Sequence, residues 1–154
     1  MLETPHTIVA ASIAVKTGNP FLALPLALLS HFVLDKVPHW NPHLTTKGGE
    51  VKKINPEGFK IIVIDSSLAL ISGSVIALSF LPDIKKVLLI LACCFLSALP
   101  DLVEAPYIFL NYKKEWLKKW LFFQKKHQFN TNIVWGLTTQ VITIIAAVWW
   151  MMQK

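Results

Sequence analysis

Long apolar segments limit the folds that are open to this chain. Residues 59–81, FKIIVIDSSLALISGSVIALSFL, include a single aspartate, and residues 132–152 form a second apolar run that contains a tryptophan pair. About 20 consecutive, mostly apolar residues let a helix cross a bilayer, and tryptophan is enriched at the headgroup boundary. A third apolar core covers residues 87–99, after which Pro100 is expected to disturb the helix. We therefore predict three longer membrane helices.

The composition agrees with a membrane protein. Hydrophobic residues make up 54% of the chain and charged residues 16%, whereas about 25% of the residues in soluble domains are charged. The length fits one domain, so residues 1–154 are expected to form a single membrane-embedded helical domain. The first residues lack the positively charged region and the cleavage site of a secretory signal, and we expect them to belong to the folded protein.

Two short helices are predicted before the first long segment. The dipeptides Thr4-Pro5 and Asn19-Pro20 each place an N-cap residue before a proline at the first helical position. The resulting helices, about residues 5–17 and 20–36, are shorter than a hydrocarbon core of about 30 Å or barely match it. We expect a tilted or partly re-entrant helical hairpin, followed by a polar loop over residues 37–58.

Residues 111–130, NYKKEWLKKWLFFQKKHQFN, predict a basic amphipathic helix. Large apolar side chains recur at helical spacing on one side, while the lysines lie mostly on others; the apolar set is Trp116, Leu117, Trp120, Leu121 and Phe123. This pattern is typical of a helix that lies on the headgroups of anionic lipids. The alternative is a solvated helix that caps a soluble core. Large apolar rings between the lysines favour membrane lipids as partners, and no nucleic acid is expected.

The predicted fold is thus all-α, a multi-pass membrane bundle, and its lysines indicate an orientation. Threading the chain through a bilayer puts eleven of the fifteen lysines on the side of residue 1, which the positive-inside rule assigns to the cytoplasm. All five histidines fall on that side, together with Asp35, Asp65, Asp101 and Glu104. We therefore expect one polar site at the cytoplasmic face of the cell membrane.

The stretch SHFVLDKVPHWNPH contains the most specific pair of candidate metal ligands. His31 and Asp35 are four residues apart, so on a helix they face the same way and can share one metal ion. Ionisable residues inside a membrane are costly and usually functional. Pro38 should end the helix, which places His39 at the edge of the site and His43 outside it.

Other polar residues on the same side complete the candidate site. Imidazole and carboxylate together suit zinc, and two ions can share a bridging carboxylate, so one or two divalent ions are expected. The further candidate ligands are His6, Asp101 and His127, and the groups expected to orient or deprotonate a water are Asp65, Glu104 and His39. As alternatives, Asp65 pairs with Lys36 or Lys60, and His127 is one more cation of the lipid-binding surface.

Four segments in order, TPHTIVAASIA, SHFVLDKVPHW, SALPDLVEAP and HQFNT, carry a family resemblance over nearly the whole chain. The sequence resembles the small bacterial and archaeal membrane-bound metal-dependent hydrolases that are related to zinc-dependent phospholipase C-like proteins. The resemblance implies an all-helical fold and hydrolysis of a phosphoester, with a lipid-linked ester as one candidate. It also implies metal ligands among His6, His31, Asp35, Asp101 and His127.

Two departures from the family pattern leave other functions open. Asn132 stands where relatives commonly carry a second histidine, and the segment at residues 100–103 lacks a second aspartate, for which Glu104 could substitute. The alternative to an enzyme is a non-catalytic membrane protein of the same fold that binds lipid or a protein partner. A metal or proton carrier would need charged groups beyond Asp65 toward the other side, and the sequence offers only hydroxyls and Gln140 there.

Overall fold

A computed structural model describes residues 1–42, 55–110 and 112–153. Its helices are α1 (Glu3–Thr17), α2 (Pro20–Leu34), α3 (Pro56–Leu78), α4 (Ile84–Phe109), α5 (Glu115–His127) and α6 (Ile133–Met152). Within these ranges no strand forms apart from a single bridge between His39 and Asn130. The all-α prediction is confirmed.

Three helices, α3, α4 and α6, are long and apolar enough to cross a membrane. Their outward side chains are large and apolar: Leu70 of α3 is 72% exposed and Val134 of α6 is 70% exposed. Such extensive apolar exposure is rare in a monomer surrounded by water and matches a surface covered by lipid tails. The shorter helix α2 also presents apolar side chains outward, including Phe21 and Leu29.

Helix α1 is the centre of the bundle and packs against α2, α3, α4 and α6. Small residues permit this close packing, since Ala10, Ala11 and Ala14 are completely buried. The hydroxyl of Ser12 donates to the carbonyl of Ile8 at 2.8 Å and lies 3.0 Å from the carbonyl of Ala147 in α6. Among the five helices of this bundle, the least apolar one, α1, therefore lies inside, and the more apolar helices surround it.

The first turn of α1 is capped by a side chain of another helix, α3, and not by a residue next to it in the sequence. The helix begins at Glu3, so the predicted N-cap role of Thr4 is wrong. The carboxylate of Asp65 in α3 instead accepts the backbone N–H of Glu3 at 2.6 Å, the N–H of Thr4 at 3.2 Å and the Thr4 hydroxyl at 2.7 Å. The second predicted cap is confirmed, since Asn19 accepts the N–H of Phe21 at 2.9 Å.

Helix α4 continues through Pro100 to Phe109, although the sequence predicted a disturbance at this proline. Two side chains of α5 hydrogen-bond to the carbonyl of this proline. The carbonyl of Pro100 accepts the indole N–H of Trp120 at 3.0 Å and the amide of Gln124 at 3.1 Å. These contacts hold α5 against α4 next to the polar site.

Candidate metal centre

His6, His31 and Asp35 meet in the interior of the bundle. One ligand atom from each lies within 4.8 Å of the other two, and all three residues are buried. Gly18 lets the chain reverse between α1 and α2, because it closes α1 with a left-handed φ of 58°. The start of α1 thereby lies beside the end of α2, and the rings of His6 and His31 stack with centroids 4.3 Å apart. This group could hold a metal ion.

Among the residues of the group, His6 has the environment that is most costly without a bound ligand. It is completely buried, and neither of its ring nitrogens has a hydrogen-bond partner. Its Nε2 lies 3.3 Å from Oδ1 of Asp35. A buried polar group without a partner is costly and rare, and a cation bound through a ring nitrogen would remove that cost.

The rings of His31 and His39 are held by backbone carbonyls. Nδ1 of His31 lies 2.8 Å from the carbonyl of Ser97, and Nδ1 of His39 lies 2.8 Å from the carbonyl of Val37. Because a carbonyl only accepts, each Nδ1 carries a proton, and Nε2 is the ring nitrogen that faces Asp35. The two Nε2 atoms lie 3.5 Å and 3.9 Å from the carboxylate oxygens of Asp35. Metal-binding histidines are usually fixed in this way.

His39 was predicted to act on a water, and it lies beside Asp35 but outside the group of three residues whose ligand atoms converge. Its side chain is completely buried. Burial, and then the positive charge of the amino terminus, lower the pKa of His39, so the ring stays neutral near pH 7. A neutral imidazole is the form that binds a metal. Asn41 also contacts Nε2 at 3.3 Å.

Asp35 is the common neighbour of the three histidines. Burial would raise the pKa of its carboxyl, but the adjacent His6 ring and the positive charge of the amino terminus outweigh this and hold the pKa well below its usual range. The amino group of Met1 forms an ion pair with Oδ1, and the amide of Gln128 donates to Oδ2 at 3.2 Å. The carboxylate is therefore ionised and attracts cations.

Asp101 and Glu104 lie at the edge of the cluster. Oδ1 of Asp101 is 3.7 Å from Nε2 of His31, and its side chain is 32% exposed. The buried amide of Gln124 donates to Asp101 at 3.2 Å and to Glu104 at 2.6 Å, while its oxygen lies 3.2 Å from Nε2 of His31. Gln124 was missed from the sequence. Its signal is a polar residue in line with Leu117 and Leu121, on the buried side of α5.

The structure does not bring His127 to this group. Its Nδ1 bonds to the carbonyl of Phe123 at 2.7 Å, and its ring lies against the Phe123 ring. Asn132 is exposed and caps α6 by accepting the N–H of Trp135 at 3.0 Å. The segment between them reaches the cluster mainly through its backbone, since the N–H of Phe129 donates to the carbonyl of Asp35 at 2.9 Å. His43 lies outside the described residues.

Asp65, predicted as a group that orients or deprotonates a water, has a structural role in this fold: it caps α1. Both carboxylate oxygens accept hydrogen bonds from the start of α1, and the residue is 7% exposed. The predicted pairing with lysine is likewise replaced by these contacts. Its effect on the site is therefore indirect: it fixes the first turn of the helix that carries His6.

Comparisons with protein-family models, with curated proteins and with solved structures found no match. The family resemblance therefore rests on the four short segments of the sequence.

Proposed function

We propose that this chain is a multi-pass protein of the cell membrane that hydrolyses a phosphoester with a divalent metal ion at its cytoplasmic face. One observation carries the proposal. A completely buried histidine, His6, stacks on a second buried histidine; its Nδ1 has no hydrogen-bond partner, and its Nε2 lies 3.3 Å from the ionised carboxylate of Asp35. Such an arrangement is costly without a ligand and suits a cation.

His6, His31 and Asp35 would hold the ion, with His39 as a further ligand. Three imidazoles and a carboxylate favour zinc over magnesium or calcium, which prefer oxygen ligands. Asp101, next to His31, is the candidate ligand for a second ion. A bound divalent ion would supply Lewis acidity toward a phosphoryl oxygen and would lower the pKa of a water.

Two further polar residues near the cluster, Glu104 and Lys125, would interact with the attacking water and with the substrate. Glu104 is oriented by the Gln124 amide and lines a cavity beside the cluster, where it can hydrogen-bond to a water and orient it. Lys125 lines the same cavity and is exposed, so it can attract an anionic headgroup. The lysine-rich α5 would keep such headgroups near the site.

Metal analysis and hydrolysis assays on the purified protein test this proposal. We expect stoichiometric zinc, and cleavage within a panel of phosphomonoesters and phosphodiesters. Asp35→Asn should abolish both, because the amide keeps the shape and loses the charge. Asp83→Asn is the matched control, since Asp83 caps the start of α4 and should leave both unchanged.

Two results would contradict the proposal in different ways. Protein purified without metal that also fails to bind added zinc would exclude a metal centre. Stoichiometric zinc without hydrolysis of any ester in the panel would exclude the enzyme and leave the non-catalytic alternative, a membrane protein that binds lipid or a partner.

A further inference from the structure

A cavity of about 740 Å³ lies in the cleft between α3 and α4. Asp101 connects it to the candidate metal centre, because this residue lines the cavity and its Oδ1 lies 3.7 Å from Nε2 of His31. The polar end of the cavity is lined by Asp101 and Glu104, and its other end by Gly73 of α3 and Leu91 of α4. Leu91 precedes Asp101 by ten residues, which corresponds to about 15 Å along a helix. The cavity is therefore elongated, with charged groups at one end and apolar walls along the rest.

Small residues create the floor of the cleft. A Cβ atom on Gly73 would lie 2.9 Å from Cγ2 of Thr7 in α1 and 3.3 Å from Sγ of Cys94 in α4. At this level α1, α3 and α4 are in close contact, and the cavity lies on the outer side of that contact. Its apolar walls include Leu70, which is 72% exposed, and Phe95, which is 57% exposed.

Because α3 and α4 are both candidate membrane helices, exposed walls between them face lipid and not water. We propose that the cleft receives one acyl chain of a lipid phosphoester. The lipid would enter sideways from the bilayer, with its phosphate toward the candidate metal centre. The inference rests on the proposed function, because only a phosphoester site gives the headgroup a reason to lie there.

Charge and shape at the two ends favour this occupant. Lys125 lies at the polar end and complements an anionic headgroup, whereas the carboxylate of Asp101 would repel a phosphate unless a divalent cation is held beside it. The volume falls in the usual range of ligand pockets, roughly 300–1,000 Å³. A small water-soluble ester would fill only the polar end and leave the apolar walls without a partner.

Photo-crosslinking can locate the acyl chain of the lipid directly. The probe is phosphatidic acid with a diazirine in the middle of one acyl chain, incorporated into nanodiscs with the full-length protein. After irradiation, mass spectrometry should place the crosslinks on residues 69–74 and 91–98. Ser74→Trp should fill the cleft and lower these crosslinks at least fivefold, and Ser67→Trp, the same change on the same helix outside the cavity lining, should not.

A second readout separates this inference from the proposed function. Zinc content should be the same in Ser74→Trp and in wild type, which also shows that the variant folds. Ser67→Trp, outside the cavity lining, should keep both the zinc content and the hydrolysis of p-nitrophenyl phosphate. Wild-type crosslinks spread over the outward faces of α3, α4 and α6, or equal labelling in the two tryptophan variants, would overturn the cleft as a lipid site. The proposed function fails separately, through absence of zinc and of hydrolysis, whatever the crosslinks show.

Discussion

The buried cluster around Asp35 and the outer surface of α5 both contain histidine, but in opposite settings. In the cluster, His31 is completely buried and both its ring nitrogens have neighbours from other helices. On α5, His127 bonds to its own helix, among exposed lysines and exposed rings such as Trp116. Both histidines belong to short motifs and both were predicted as ligands. The comparison teaches that packing between distant segments, not the motif, determines which histidine can bind a metal.

Removing one histidine from each region is the strongest test of this contrast. His6→Ala deletes a completely buried candidate ligand from the cluster, and should weaken zinc binding by about a hundredfold or more, since even supporting groups are worth roughly 10–100-fold. His127→Ala should leave the zinc affinity unchanged within about twofold. Competition with a fluorescent chelator measures both. A large loss in His127→Ala would mean that α5 supplies a ligand after all.

Gly136 offers a way to disturb the cluster from α6 without touching a ligand. A Cβ atom there would lie 2.3 Å from the backbone nitrogen of Trp40 and 2.7 Å from the carbonyl carbon of His39. Gly136→Ala should therefore displace this segment and lower the free energy of unfolding by about 2–3 kcal/mol, although alanine in a helix is normally favourable by about 1 kcal/mol. Zinc affinity should fall as His39 moves.

Thr138→Ala, on the exposed side of the same helix, is the control for Gly136→Ala. Unfolding in a mixed detergent series, followed by circular dichroism, measures the stability of both variants. Increased stability of Gly136→Ala would show that the segment at His39 can shift without cost, and that the cluster tolerates this movement.

Patterns in the sequence predicted those structural features that depend only on residues close together in the chain. The Asn19 cap, the long apolar helices and the amphipathic α5 all follow from spacings of a few residues. The lysine-rich surface of α5 is a local feature of this kind. Even the pair His31 and Asp35 was found because the two are one helical turn apart.

Contacts across the bundle could not be predicted in this way. Asp65 caps a helix that starts 62 residues earlier in the chain, and Gln124 joins the cluster from 93 residues away. The close approach of Gly136 to His39 likewise depends on how α6 packs. Each contact is set by the tertiary fold, and a single sequence contains no periodicity that reports it.

Replacing Asp65 tests how much the cap on α1, the helix that carries His6, contributes to stability. Asp65→Ala removes the acceptor of two backbone N–H groups at the start of α1 and should lower the free energy of unfolding by about 1–2 kcal/mol. Asp83→Ala, which removes an exposed cap of α4, should cost less, because water can replace its bond. The same detergent unfolding experiment compares them. Equal costs would mean that burial adds nothing to the Asp65 cap.

The smallest expected effect concerns the surface of α5. Lys118 and Lys119 are exposed, and replacing both with glutamine removes two charges that are predicted to attract anionic headgroups. Hydrogen exchange of the α5 amides in nanodiscs should then become faster by roughly threefold to tenfold when the lipids are anionic, and should not change when they are zwitterionic. Zinc affinity should stay at the wild-type value, because neither lysine contacts the cluster among the described residues. If the exchange rate changes equally in both lipids, α5 is held by packing against α4 and not by headgroup charge, and the contrast between a buried polar region and a lipid-binding one no longer holds.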